Sequence, residues 1–143
     1  MDHLEESLFD WVTRVLRDPD PAAELSRVGA GMRAALVESL EPEEVVRVVL
    51  RGSAGQAIAG TDTRVIVLRP DAVLSWRYLD VSGIDVDQHV VGGSIGVRVP
   101  GGGCVMPAAG DWDVIRARVA TLRGLIAGAH SDFVRAEPHL VAL

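Results

Sequence analysis

The chain has no lysine: all 14 of its basic residues are arginine, a bias that fits a GC-rich coding sequence better than a functional choice. Positive charge is also nowhere concentrated. Residues 1–44 carry 4 Arg against 11 Asp and Glu, residues 45–108 carry 6 against 5, and residues 109–143 carry 4 against 4, for a net charge of −6. Nucleic acids and anionic membranes attract clustered positive charge, so no nucleic-acid partner is expected and a membrane surface is disfavoured. Cys104 is the single cysteine, which excludes an intramolecular disulfide. No apolar run approaches the roughly 18 residues that a spanning helix needs. The opening MDHLEESLFDW has neither the basic start nor the apolar stretch of a signal peptide, and the expected compartment is the cytoplasm. Aromatic residues are only 4 % while hydrophobic residues reach 48 %, so the chain can fold, around an aliphatic core. Its 143 residues suit one domain with a terminal extension.

What is present is organised. From Leu4 to Arg17, the residues Leu4, Leu8, Trp11, Val12, Val15 and Leu16 share one helical face. Acidic residues stand near the start of this helix and Arg14 and Arg17 near its end, as the helix dipole favours. Asp18-Pro19-Asp20-Pro21 stops it, and Asp20 and Pro21 read as the cap and first residue of a short second helix. Gly29 and Gly31 interrupt that helix before Met32, Leu36 and Leu40 extend its stripe to Glu41-Pro42. From Glu44 to Pro107 the pattern changes to short alternating runs separated by turn residues, the mark of antiparallel strands. Seven are expected: from Val46 to Arg51; Gln56 to Ala59; Arg64 to Arg69; Ala72 to Leu79; Ile84 to Val91; Ile95 to Val99; and Cys104 to Met106. Gly52-Ser53, Gly92-Gly93 and the Gly101–Gly103 run are the expected turns. Asp111 then reads as the cap of an amphipathic helix carrying Trp112, Ile115, Val119, Leu122 and Ile126, with Gly128 as its expected stop.

Two stretches carry a family resemblance. Gly55-Gln56-Ala57-Ile58-Ala59-Gly60-Thr61-Asp62-Thr63-Arg64-Val65-Ile66-Val67-Leu68 resembles a threonine–acid–x–arginine hairpin of bacterial pleckstrin-homology-like (PH-like) domains, and Tyr78 to Val86 resembles the strand entry that follows it. The resemblance covers roughly residues 40–128. It implies an α+β, mainly β fold: a barrel of about seven antiparallel strands capped by the C-terminal helix. The expected division is an N-terminal helical extension over 1–40, a PH-like domain over 41–130 and a tail over 131–143. Relatives of this kind are mostly binding or assembly modules without a shared catalytic residue, so no cofactor is expected. The lipid-binding relatives use basic residues between the first two strands, where Arg51-Gly52-Ser53-Ala54-Gly55 holds one. Thr61 and Asp62 are expected to bond back to their turn, and Arg64 to form an exposed pair with Asp62 or a neighbouring strand.

Three patterns could carry chemistry. Gly92-Gly93-Ser94-Ile95-Gly96 matches a nucleophile elbow, with Asp111 and His130 following in the order of a hydrolase triad. That reading needs a strand–turn–helix around Ser94, whereas Val97-Arg98-Val99 reads as strand. Asp85, Asp87 and His89 share a strand face at a spacing that could bind a metal. The alternate residues are apolar, which makes a solvated outer face the better account, and no metal site is expected. Cys104, between Gly103 and Val105, reads as a small buried apolar group. There remains the N-terminal face of Leu4, Leu8, Trp11 and Val15, either packed on the barrel or meeting another copy or a partner. The expectation is a non-catalytic module for protein binding or self-association through that helix. The alternatives are a lipid-headgroup adaptor and a small hydrolase using Ser94.

Overall fold

The structure, a computed structural model, describes residues 23–136. The helix expected from Leu4 to Arg17 and its proline stop lie outside the described residues. Residues 23–25 are helical, and the chain turns before α1, Ala30–Ser39. Gly29 is where the two expected helical pieces separate: its backbone is extended, and its amide donates to the Gly55 carbonyl at 3.3 Å.

Seven strands follow: β1 (Val46–Arg51), β2 (Ala57–Thr61), β3 (Arg64–Leu68), β4 (Val73–Arg77), β5 (Gly83–Gln88), β6 (Gly93–Val99) and β7 (Gly102–Pro107). They form a four-stranded sheet in the order β1-β2-β3-β4 and a three-stranded sheet in the order β5-β6-β7, antiparallel throughout. A bridge between Gly52 and Ala108 links the two sheets at one corner, supported by the Ala109 amide on the Arg51 carbonyl at 3.1 Å. The second helix, α2 (Trp112–Ala136), closes the barrel. This is the α+β, mainly β architecture expected from the sequence, in strand number, order and terminal helix.

Burial explains the strand patterns. β2 is buried along its whole length and β3 at every residue but Arg64. Such runs mark strands covered on both faces. The inner face contributes Val48, Leu50, Ile58, Val65 and Val67 to a core shared with Ile84, Ile95, Val97 and the α2 stripe Ile115, Val119, Leu122 and Ile126. The outer face puts Val46, Val49, Ala57, Ala59, Ile66 and Leu68 under Leu25, Val28 and Leu36 of the N-terminal segment. Each large side chain buried in this way contributes about 2 kcal/mol. The second sheet alternates instead: Ile84, Ile95, Val97, Cys104 and Met106 point inward, while Asp85, Asp87, Arg98 and Val105 face outward and are exposed.

Four boundaries differ from the sequence reading. The β1–β2 connection is a 3₁₀ turn, Ser53–Gly55, in which Ala54 and Gly55 have φ of 57° and 75°. β4 ends at Arg77, because Tyr78–Asp80 forms a second 3₁₀ turn that carries Tyr78 into the core. The β5–β6 hairpin turns at Val90-Val91, both fully exposed, with the His89 amide on the Gly92 carbonyl at 3.0 Å. Gly92 keeps a turn role, with φ of 73°, while a side chain on Gly93 would run into the Asp87 carbonyl and lie 2.6 Å from the Trp112 ring. Finally, α2 runs through Gly128 to Ala136. A helical glycine costs only about 1 kcal/mol relative to alanine, and beyond it the partly buried Ala129 packs against the core.

Candidate functional site

Three polar assemblies are built on this frame. The first centres on Glu44, in the turn before β1. Its carboxylate accepts hydrogen bonds from Thr61 Oγ1 (2.7 Å), Thr63 Oγ1 (3.0 Å), Arg64 Nε (2.9 Å), Arg64 Nη2 (2.8 Å) and the Glu41 amide (3.0 Å). Arg64 also donates to the Ser39 carbonyl at the end of α1, and the Tyr78 hydroxyl donates to the Thr61 carbonyl. Thr61 Oγ1 accepts the amides of Thr63 and Arg64 (3.1 and 3.0 Å), the expected turn contact. Asp62 instead reaches β1, where its Oδ1 accepts the Val45 amide at 3.1 Å.

The expected exposed pairing of Arg64 is therefore corrected. Its partner is Glu44, twenty residues earlier, and the two side chains are 16 % and 3 % exposed. Burial on its own would raise the Glu44 carboxyl, but the hydrogen bonds from Arg64, the Glu41 amide, Thr61 and Thr63 outweigh it and hold it at about 2. Burial, followed by the charges of Asp62 and Glu44, pushes the Tyr78 hydroxyl well above its usual range. With its groups satisfied from within, this network fastens α1, the β2–β3 hairpin and the turn after β4 together. Its role is to hold the fold.

The second assembly ties the N-terminal segment to the barrel. Glu24 accepts Arg51 Nε at 2.8 Å and lies 3.0 Å from Arg118 Nη1, joining residues 23–25 to β1 and α2. Burial would raise this carboxyl, but Arg118 and Arg51 together hold it below the usual carboxylate value. Arg27, Gly110 and Asp111 complete the wall of an adjoining cleft of about 240 Å³. Arg51, read from the sequence as part of the first turn, is the last residue of β1, and its guanidinium is taken up by this internal ion pair.

The third assembly lies along α2. Arg116, Arg123 and His130 are spaced seven apart, which places them on one flank of a helix. Arg116 donates to the Gln88 side chain, Arg123 to the Ile84 carbonyl through Nε (3.1 Å) and Nη2 (2.6 Å), and His130 Nε2–H to the Tyr78 carbonyl (2.9 Å). The helix thus runs antiparallel to β5, an edge strand of its sheet. Between them lies a groove of about 450 Å³, lined by Val81–Asp85, Arg98, Arg123, Ile126, Ala127 and His130. Its floor is apolar, with Val81 and Ile84 each 2 % exposed and Ile126 8 % exposed, while Asp85, Arg98, Arg123 and His130 form a polar rim. Each of these four bonds joins residues 28 or more positions apart. The seven-residue recurrence on α2 is the signal that could have located them.

The candidate residues read from the sequence are not brought together. Ser94 sits inside β6 between Asp87 of β5 and Pro107 of β7. Asp111 uses Oδ1 to cap α2 through the Asp113 amide at 2.7 Å, and His130 is engaged at Tyr78. Asp85 pairs with Arg98 at 3.1 Å, and Asp87 pairs with His89 at 3.3 Å, all at the surface. Among the described residues, no three His, Cys, Asp or Glu side chains are grouped to hold a metal. Cys104 is buried, 3.5 Å from Arg69 Nη1. Leu4, Leu8, Trp11 and Val15 lie outside the described residues.

No helix among the described residues is long and apolar enough to cross a membrane. No family model and no curated protein matches the chain. Among solved structures, the chain is similar to a DUF1696 family protein with a pleckstrin-homology domain from Shewanella loihica PV-4. The match has 14 % identity and a TM-score of 0.49, and it covers 64 % of this chain and 93 % of that one.

Proposed function

We propose that this protein is a non-catalytic binding or assembly module that joins proteins, or copies of itself, through the apolar face of Leu4, Leu8, Trp11 and Val15. The observation that carries this reading is the coverage of the four-stranded sheet. Its inner face is sealed by α2, and its outer face is already occupied by Leu25, Val28 and Leu36. A further amphipathic segment has no bare apolar sheet left to cover here. The outer face of the second sheet is a poor substitute, since it presents the Asp85–Arg98 and Asp87–His89 pairs. An apolar helical face of three to four turns is enough to seat on a partner's groove or on its own copy.

Light scattering on the full chain, with and without residues 1–20, tests this. The full chain is expected to form a discrete oligomer or to retain a specific partner in a pull-down, and the shortened chain to remain folded and lose that association. A monomeric full chain with no partner lost on shortening would overturn it. Co-flotation with anionic vesicles at low salt would instead favour the lipid-headgroup reading.

A further inference from the structure

The edges of the two sheets are finished differently. β1 and β7 are joined where they end, at the Gly52–Ala108 bridge, and on β5 the Ile84 carbonyl is held twice by Arg123. β4 is the last strand of the four-stranded sheet, with β3 on one side and α1 over its outer face. Its hydrogen-bonding phase follows from the hairpin that leads into it. Arg69 and Ala72 exchange both backbone bonds, at 3.0 and 3.4 Å, and so form a hydrogen-bonded pair. Alternation along the register makes Val67–Leu74 and Val65–Trp76 bonded pairs as well, and leaves Leu68–Val73, Ile66–Ser75 and Arg64–Arg77 unbonded. The amides and carbonyls of Val73, Ser75 and Arg77 therefore point away from β3, and among the described residues nothing receives them. All three residues are exposed. No bulge breaks the register of β4 and no proline lies within it, two of the usual protections of an edge strand.

An open edge of this kind pairs with another strand, and β4 is complementary to itself. A two-fold axis at Ser75 is the only one that uses all three outward residues. It sets Ser75 against Ser75 and Val73 against Arg77, each pair exchanging both of its backbone bonds. Between them, Leu74 falls opposite Trp76 on the inner face. Both are part-buried and packed on the core of their own molecule, so the seam extends an apolar layer that already exists. On the outer face Arg77 lies across from Val73 rather than from another arginine, and diagonal to Asp71. Asp71, with Met32 and Ala35 of α1, lines a recess of about 470 Å³ beside Val73. Arg69 is also in its wall, but its guanidinium is turned to the Cys104 sulfur, 3.5 Å away. Neither Arg77 nor Asp71 makes an ion pair among the described residues. The recess thus offers a carboxylate and an apolar bed to the arginine of a second copy, and symmetry provides the contact twice.

We propose that two copies of this chain join β4 to β4, antiparallel and centred on Ser75. One sheet then continues through both molecules, and each Arg77 enters the recess beside Asp71 of the other copy. The seam is separate from the N-terminal face of Leu4, Leu8, Trp11 and Val15 and uses no residue of it.

The test is disulfide crosslinking of the full chain, in which Cys104 is buried and a thiol placed on β4 is exposed. In Ser75→Cys the new thiol faces its own copy across the axis, at about 5.5 Å between Cα atoms, a distance that a disulfide spans. In Val73→Cys it lies four strand residues from its own copy, about 13 Å, too far to bridge. Under mild oxidation Ser75→Cys is expected to give at least about tenfold more covalent dimer than Val73→Cys. Adding Arg77→Asp to Ser75→Cys sets two carboxylates together and is expected to lower that yield, and adding Asp71→Arg as well is expected to restore it. Equal crosslinking of the two cysteine variants overturns the proposal, and so does a yield that the charge swap fails to restore. Amide exchange of Val73, Ser75 and Arg77 is expected to slow as protein concentration rises. Protection that is the same at every concentration overturns the proposal too, because the edge is then covered by another segment of its own chain. The crosslink reads the β4 seam alone, so its outcome is distinct from that of shortening the N-terminus.

Discussion

The two sheets of this barrel are made of similar residues but live in different surroundings. The four-stranded sheet is covered on both faces, by α2 inside and by the N-terminal segment outside, and its central strands are almost unbroken apolar runs. Among the described residues, the three-stranded sheet is covered on one face only, and its outer-facing side chains are exposed. The difference shows that the N-terminal segment is a structural layer of the barrel rather than an appendage. It is fastened by two carboxylates, Glu24 and Glu44, each gripped by arginine.

Substitutions on the outer faces are the direct way to break this comparison. Ile66→Ala, under α1 on the covered face, is expected to cost about 4 kcal/mol in urea unfolding, the range for emptying a buried aliphatic site. Glu44→Gln leaves the part-buried Arg64 without its counter-charge and is expected to cost about 3 kcal/mol. This second substitution also carries a pH signature. The folded carboxyl is depressed from 4.5 to about 2, so its stabilising effect is complete above the ordinary glutamate range and fades as the pH falls from there toward about 2. Thermal unfolding between pH 6 and pH 3 should therefore show a steeper loss in the native protein than in Glu44→Gln.

Gly60→Ala sharpens the comparison from the inner side, where the Leu122 side chain of α2 lies against β2. A side chain there would lie 2.6 Å from Leu122 and 2.9 Å from Val48, and overpacking of this kind is expected to cost about 2 kcal/mol, read by urea denaturation. The smallest effect belongs to the open face. Val105→Ala, at 67 % exposure on β7, should change stability by less than about 0.5 kcal/mol. A cost near that of Ile66→Ala would mean that the outer face of the second sheet is covered in solution.

The barrel was legible in the chain because local chemistry specified its parts. Alternation in Ile84–Gln88 and Ile95–Val99, the β-branched run Val65–Val67 and the Trp112–Ile126 stripe each announced an element. Asp111 was recognisable as a cap, and the structure places its side chain on the Asp113 amide. Turn centres were less legible, because glycine marks a backbone requirement without saying which one. Gly93 answers to the Asp87 carbonyl and the Trp112 ring, while Val90-Val91 makes the hairpin turn.

The polar sites were least legible. Arg64 offered an obvious neighbour in Asp62, yet it pairs with Glu44, and no spacing rule connects residues twenty apart across two strands and their turns. Glu24 is likewise distant from both Arg51 and Arg118, and only the wrap of the N-terminal segment over the barrel brings the three together. The sequence by itself determined where strands and helices form and which faces are apolar, since those depend on near neighbours and on periodicity. Tertiary structure alone decided which carboxylate meets which arginine, which sheet is covered twice and where a groove stays open. Those outcomes depend on contacts between distant segments, whose geometry exists only once the layers have packed.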